Sequence, residues 1–214
     1  MLKQIINGRI LTPQGWLEGG SVIIDGNKIL AVSNSDLHIV NAQIIDAKGC
    51  YVVPGGVDLH VHGGGGRDFM EGTEEAFRVA IKAHMKHGTT SIFPTLSSST
   101  VPMIEAACET CQKLMEEENS PVLGLHLEGP YFNPKQAGAQ IPEWIKPPLA
   151  EEYEPLLDKY PCIKRWDEAP ELPGSVEFIQ SCRKHGVVAS IGHTRATYAD
   201  VVAGHNAGMM HATH

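Results

Sequence analysis

The chain has 214 residues, 42% of them hydrophobic, and a formal net charge of −8. That is enough apolar material for a sizeable core, in one large or two small domains. The acidic balance and the lack of any basic run argue against nucleic acid or an anionic membrane as partner, and no stretch approaches the roughly 18 apolar residues of a membrane-spanning helix.

The N-terminus, Met1-Leu2-Lys3-Gln4, lacks a signal-peptide pattern. The five cysteines are an odd number, widely spread, and suit a reducing compartment. A cytoplasmic protein is expected.

Residues 1–53 read as short strands broken by turns. Ile5-Ile6 leads to Asn7-Gly8, and Val22-Ile23-Ile24 leads to Asp25-Gly26-Asn27, with Lys28–Val32 following. Asn-Gly and Asp-Gly between apolar runs signal hairpins. Ile44–Ala47 and Tyr51-Val52-Val53 complete a small all-β unit, in which His38 is expected at the surface.

From Pro54 to His214 strands alternate with helices. Thr73 caps a helix with Glu74 and Glu75 in its first turn and Gly88 beyond its end. Thr89–Pro94 is the next strand, Val101–Glu118 a helix, and Val122–Glu128 a strand. Cys108 and Cys111 fall inside that helix, which argues against a redox Cys-x-x-Cys motif. Gly129 to Ala150, with five prolines, shows no periodicity. A loop of that length is either a lid over a site or a surface excursion packing on a partner subunit. A weaker strand covers Cys162–Trp166. Helix Ser175–His185, strand Val187–Ile191, helix Thr197–Asn206 with Asp200 in a capping box, and strand Met209–His214 follow. Repeated βα units imply a parallel sheet, in a barrel or a doubly wound fold.

The polar residues separate those two. In Pro54-Gly55-Gly56-Val57-Asp58-Leu59-His60-Val61-His62, period-two alternation puts Asp58, His60 and His62 on one face. Two imidazoles at i and i+2 can grip one metal ion, with Asp58 supporting them from behind. Read alone, the same pattern is also a half-exposed strand with its rings in water. His126 and Glu128 share parity on a later strand, so both can face the interior, where the carboxylate can bridge a metal site or form an ion pair. His193 precedes a helix cap. His211 and His214 differ by three and face opposite sides, so at most one is a ligand. All of these fall at the C-terminal ends of strands, four strands in total, as (β/α)8 active sites do. A doubly wound sheet gathers its ligands at one switch point instead. The expected fold is therefore α/β: a small N-terminal β-sandwich portion over 1–53, and over 54–214 a (β/α)8-type barrel with about six of eight βα units.

The motifs Pro-Gly-Gly-Val-Asp-Leu-His-Val-His (54–62), Gly-Leu-His-Leu-Glu-Gly-Pro-Tyr-Phe-Asn-Pro (124–134), Gly-His-Thr-Arg-Ala-Thr-Tyr (192–198) and His-Ala-Thr-His (211–214) resemble the amidohydrolase superfamily. Within it they resemble the N-acetylglucosamine-6-phosphate deacetylase family, chiefly through His-Leu-Glu-Gly-Pro followed by Gly138-Ala139. The resemblance implies one or two divalent ions, zinc or iron. Glu128, His193 and His214 would be the main ligands, and His60 and His62 those of a second ion. It implies backbone and side-chain contacts to the sugar from Ala139 and Gln140, the latter standing where the family often has His. Asp58 and His126 would support the ligands from the second layer. The implied reaction is metal-dependent hydrolysis of the acetamide of an amino-sugar phosphate, by a homodimer.

A full barrel takes about 250 residues, more than the whole of this chain. The family's general-base Asp is accordingly expected beyond His214. Two alternatives stand beside this reading. One is an amidohydrolase acting on a cyclic amide, for which Lys164 would bridge two metals. The other is a non-catalytic metal-binding fragment or half-barrel subunit.

Overall fold

A computed structural model describes every residue except Asp36 and His38, so the surface position expected of His38 lies outside the described residues. The chain divides into two units, Met1–Gly55 and Gly56–His214.

The first unit contains β1 (Leu2–Thr12), β2 (Gly15–Asp25), β3 (Lys28–Ser33), β4 (Gln43–Asp46) and β5 (Tyr51–Val52). All five belong to one hydrogen-bonded sheet, in the order β3-β2-β1-β4 with β5 also on β1. Asp25 pairs with Lys28 across Gly26-Asn27, the hairpin expected from sequence. Asn7-Gly8 is not a turn. It lies inside β1 as a bulge, with register shifts on both sides of Gly8 and a left-handed Asn7 (φ 56°). The tight Asn-Gly hairpin needs positive φ at both residues. Here Ala47 and Gly49 donate backbone bonds to Ile6 and Asn7 and keep the strand running. A side chain at Gly8 would meet Val52 Cγ2 at 2.4 Å. Ile10, Val22 and Ile23 are buried here.

The second unit begins with β6 (Gly56–Val61) and a short ribbon of β7 (Gly63–Gly64) and β8 (Arg67–Asp68). Then come α1 (Glu74–Met85), β9 (Thr89–Leu96), α2 (Val101–Met115), β10 (Leu125–Glu128), α3 (Ala150–Lys159) and β11 (Ile163–Glu168). The series closes with α4 (Ser175–Lys184), β12 (Val188–Ile191), α5 (Tyr198–Ala207) and β13 (His211–Ala212). Six strands form one sheet in chain order, β6-β9-β10-β11-β12-β13, and every pairing is parallel. That unreversed order is the progression of a (β/α) barrel; a doubly wound sheet reverses direction part-way.

Side-chain caps start two of the five helices described. Thr73 Oγ1 accepts from the Ala76 N–H at the start of α1, and Thr197 with Asp200 forms a capping box before α5. Helix α3 was not expected. Pro155 lies inside it, and Leu149 at its N-terminus makes no side-chain cap. Tertiary burial of Tyr153, Leu156 and Leu157 holds it instead. The layer between helices and sheet centres on Trp166, which stacks on Tyr131 at 5.5 Å and meets Phe178 edge-on at 5.2 Å. Its indole N–H donates to the Gly129 carbonyl at 2.9 Å, which fixes the chain leaving β10. Cys108 and Cys111 are buried in α2 as free thiols. Among the described residues no helix is long and apolar enough to cross a membrane.

Candidate metal centre

Glu128 ends β10 and is 3% exposed. Its Oε1 lies 2.8 Å from His214 Nε2, 3.2 Å from His193 Nε2 and 3.5 Å from His60 Nε2. Its Oε2 lies 3.1 Å from His62 Nε2, and the Nε2 atoms of His60 and His62 are 3.1 Å apart. Burial alone would push the Glu128 carboxyl up, but the four imidazoles together hold it well below the usual carboxylate range. The same contact raises His62 and His193.

The donor set fits a metal ion. Nitrogen and oxygen ligands sit about 2.0–2.2 Å from zinc, so neighbouring donors of a tetrahedron are about 3.3 Å apart. The contacts around Glu128 span 2.8–3.5 Å. They form two triads sharing the one carboxylate: His60, His62 and Glu128, and Glu128, His193 and His214. The outer ring nitrogens are also engaged: His60 Nδ1 with Thr213 Oγ1 at 3.1 Å, His62 Nδ1 with Ser97 Oγ at 3.2 Å, and His193 Nδ1 with the Gln136 carbonyl at 2.9 Å. A carbonyl only accepts, so His193 Nδ1 carries the proton and its Nε2 lone pair faces the carboxylate. Two acceptors at that distance need a cation between them, a proton or a metal ion.

His193 itself is strained. Its φ of 45° is left-handed, which costs a non-glycine residue about 1–2 kcal/mol. The Asn133 N–H donates to its carbonyl at 3.1 Å, and Gly138, also left-handed, leaves just enough room beside the ring: a Cβ there would sit 3.2 Å from His193 Cε1.

Residues 51–214 match the family model of the amidohydrolases. The chain belongs to the amidohydrolase family. Among curated relatives, an N-acetylglucosamine-6-phosphate deacetylase of Bacillus subtilis is 32% identical over 212 residues, covering 96% of this chain and 54% of that protein. Among solved structures, the N-acetylglucosamine-6-phosphate deacetylase of Pasteurella multocida superposes with a TM-score of 0.93 at 29% identity, over 100% of this chain and 56% of that one. A point variant of the Mycobacterium smegmatis deacetylase, in complex with N-acetyl-D-glucosamine-6-phosphate, superposes with a TM-score of 0.89 at 28% identity, over 100% and 55%. The chain thus spans about half the length of the relatives it matches.

The remaining residues singled out in this amidohydrolase sequence are placed as follows. The Asp58 side chain makes no contact with the His60 or His62 rings. Its Oδ1 accepts the backbone N–H of His60 at 3.2 Å, and its Oδ2 lies 3.9 Å from His84 Nδ1. Thr213 and Ser97 stand where Asp58 was expected. The Gln140 side chain lies on the Glu128 carboxylate. Its Oε1 accepts the Ser98 N–H at 2.6 Å and its Nε2 donates to Glu128 Oε2 at 2.8 Å; both partners have fixed polarity, so the amide is locked on the carboxylate. Ala139 is exposed at the rim. His211 turns away from Glu128, its Nδ1 2.9 Å from Ser190 Oγ.

His126 is fully buried, its ring 4.7 Å from that of His60. Its Nδ1 meets Thr95 Oγ1 at 3.0 Å. Its Nε2 lies 3.0 Å from Asp167 Oδ1, too far off line for a hydrogen bond. Burial lowers the His126 pKa against the pull of Asp167.

Sequence reading missed Asp167 and its partner Arg165. Arg165 Nε donates to Asp167 Oδ1 at 3.0 Å, Nη2 to Thr213 Oγ1 at 2.5 Å, and Nη1 to the Leu59 carbonyl at 3.3 Å. The guanidinium thus links the Thr213 hydroxyl that meets the His60 ring to the backbone just before His60. The signal was present as two charged residues of one parity on a strand, the pattern that singled out His126 and Glu128.

Proposed function

We propose that this amidohydrolase removes the acetyl group of N-acetylglucosamine 6-phosphate, releasing acetate and glucosamine 6-phosphate. The observation that carries the proposal is the convergence of His60, His62, His193 and His214 on the buried Glu128 carboxylate. The names of the relatives narrow the substrate to an amino-sugar phosphate.

In this reading Glu128, His193 and His214 hold one divalent ion, zinc or iron, and His60 and His62 with Glu128 hold a second. An ion there supplies the Lewis acidity that acidifies a water molecule and polarises an amide carbonyl. Gln140 keeps the carboxylate pointed at both triads, and His126 packs behind His60. Ala139, exposed next to the Gly138 that faces His193, is the sugar contact. Proton delivery to the leaving amine belongs to the Asp expected beyond His214. The same proposal takes the enzyme as cytoplasmic and homodimeric, on the reducing-compartment cysteine pattern and the family resemblance.

A cyclic-amide hydrolase bridged by Lys164 fits less well. That side chain is exposed, and Glu128 already supplies a carboxylate common to the two triads. The test is acetate release from N-acetylglucosamine 6-phosphate by the protein carrying the Asp expected beyond His214, before chelation, after it, and with zinc restored. Loss and recovery of activity are expected. Turnover indifferent to chelation, or hydrolysis of a cyclic amide in its place, overturns the proposal, and metal binding without any turnover favours the non-catalytic reading.

A further inference from the structure

Glu171, in the turn after β11, accepts three hydrogen bonds from two other loops. Its Oε1 takes the Asn133 side-chain amide at 2.9 Å and the Arg195 backbone N–H at 2.7 Å, and its Oε2 takes the Thr194 hydroxyl. That hydroxyl in turn accepts from the Ala196 N–H at 2.8 Å. Asn133 also donates its backbone N–H to the His193 carbonyl. On the other side of His193, the Gly192 N–H is fixed to the Glu168 carbonyl at 3.1 Å. The strained His193 therefore sits between segments that Glu171 and the end of β11 hold together.

We infer that Glu171 is a positioning residue of the metal centre: it clasps the loops after β10, β11 and β12 and so keeps His193 in the left-handed backbone that aims its Nε2 at Glu128. Residues held in a sparsely populated conformation persist only where their surroundings over-determine them. Without the clasp, the peptide after His193 relaxes and the ring swings off the carboxylate. None of the contacts of Glu171 reaches His60, His62 or His214, so its loss acts on one triad and spares the other.

The inference rests on the metal-site reading, and the experiment separates the two. Zinc affinity is measured by competition with a chromophoric chelator for the wild-type protein and for Glu171→Ala, Glu171→Gln, Thr194→Val and His193→Ala, with metal-free thermal unfolding alongside. Glu171→Ala is expected to weaken the zinc class that His193→Ala abolishes by about 10–100-fold, leaving the other within about twofold. Thr194→Val, which removes one of the three bonds, falls in between. Glu171→Gln keeps an acceptor for the Arg195 N–H and offers its amide to the Thr194 hydroxyl, and recovers most of the affinity. A lower metal-free melting temperature with unchanged zinc affinity would mean a merely structural role and overturns the inference. Should Glu171→Ala fail to fold, wild-type affinity in Thr194→Val does the same. Wild-type protein that binds no zinc overturns the metal-site reading and this inference with it.

Discussion

At the scale of single residues, the centre turns on how many partners one carboxylate serves. Glu128 belongs to both ligand triads, whereas His62 belongs to one. Removing the Glu128 charge also removes the neutralisation that makes a dication tolerable in a nearly dry site. Glu128→Gln should therefore retain less than about half the zinc retained by His62→Ala, since in the proposed assignment the carboxylate would supply charge to both ions. Elemental analysis of the two variants side by side decides it; equal retention would contradict the shared-ligand assignment.

Glu168, the neighbour of Asp167, poses a different problem. Both its carboxylate oxygens are buried with no hydrogen-bond partner among the described residues. Burial pushes its carboxyl up to about 8, and the charge of Glu171 adds to the rise. A carboxyl whose folded pKa is raised stabilises the fold in its neutral form. Its contribution is fully present below the unfolded value and is lost as pH climbs through the folded one. Glu168→Gln should leave the melting temperature unchanged near about pH 4 and raise it by at least about 3 °C near pH 8.5. Thermal scans across that range check the prediction; a gap independent of pH would sink it.

At the scale of elements, legibility followed local chemistry. The helices with side-chain caps and glycine stops were readable, as α1 with Thr73 and Gly88 shows. Helix α3 was not, because Pro155 and an apolar cap position conceal an element held by packing. Asn7-Gly8 looked like a turn because a bulge and a hairpin draw on the same left-handed residues. The centre was half legible: His60, His62, Glu128, His193 and His214 stand out by type and strand position, whereas Glu171 acts through partners far away in the chain, and the local pair Arg165–Asp167 was passed over on a strand read as weak. Strand β11, read as the weak strand, carries a buried inward pair joined by two hydrogen bonds, Arg165 and Asp167. Arg165→Met leaves Asp167 buried without its cation, and such a break costs about 3–5 kcal/mol. The double variant Arg165→Met/Asp167→Asn removes both charges and should cost less than the sum of the two single changes by at least about 1 kcal/mol. Denaturant titrations of the four proteins measure this, and strict additivity would mean that the pair is not coupled.

At the scale of the whole molecule, the ligands join β6, the end of β10 and the segments following β12 and β13, so an ion bound there ties the sheet together. Zinc held at 100 times its dissociation constant stabilises the folded state by about 2.7 kcal/mol, worth about 5–10 °C in melting temperature for a domain of this size. Scanning calorimetry with zinc and then with excess chelator should show that shift and its reversal; a melting temperature blind to both would argue that the donors hold no ion. The order of the sheet has a kinetic consequence as well. Each strand pairs with the one before it in the chain, so the sheet can grow by short crossovers, while the imidazole of His60 meets Thr213 across 153 residues. Closure over so long a loop comes late. The complete ligand set then exists only on the native side of the folding barrier, and zinc should slow unfolding many-fold while leaving the refolding rate almost untouched.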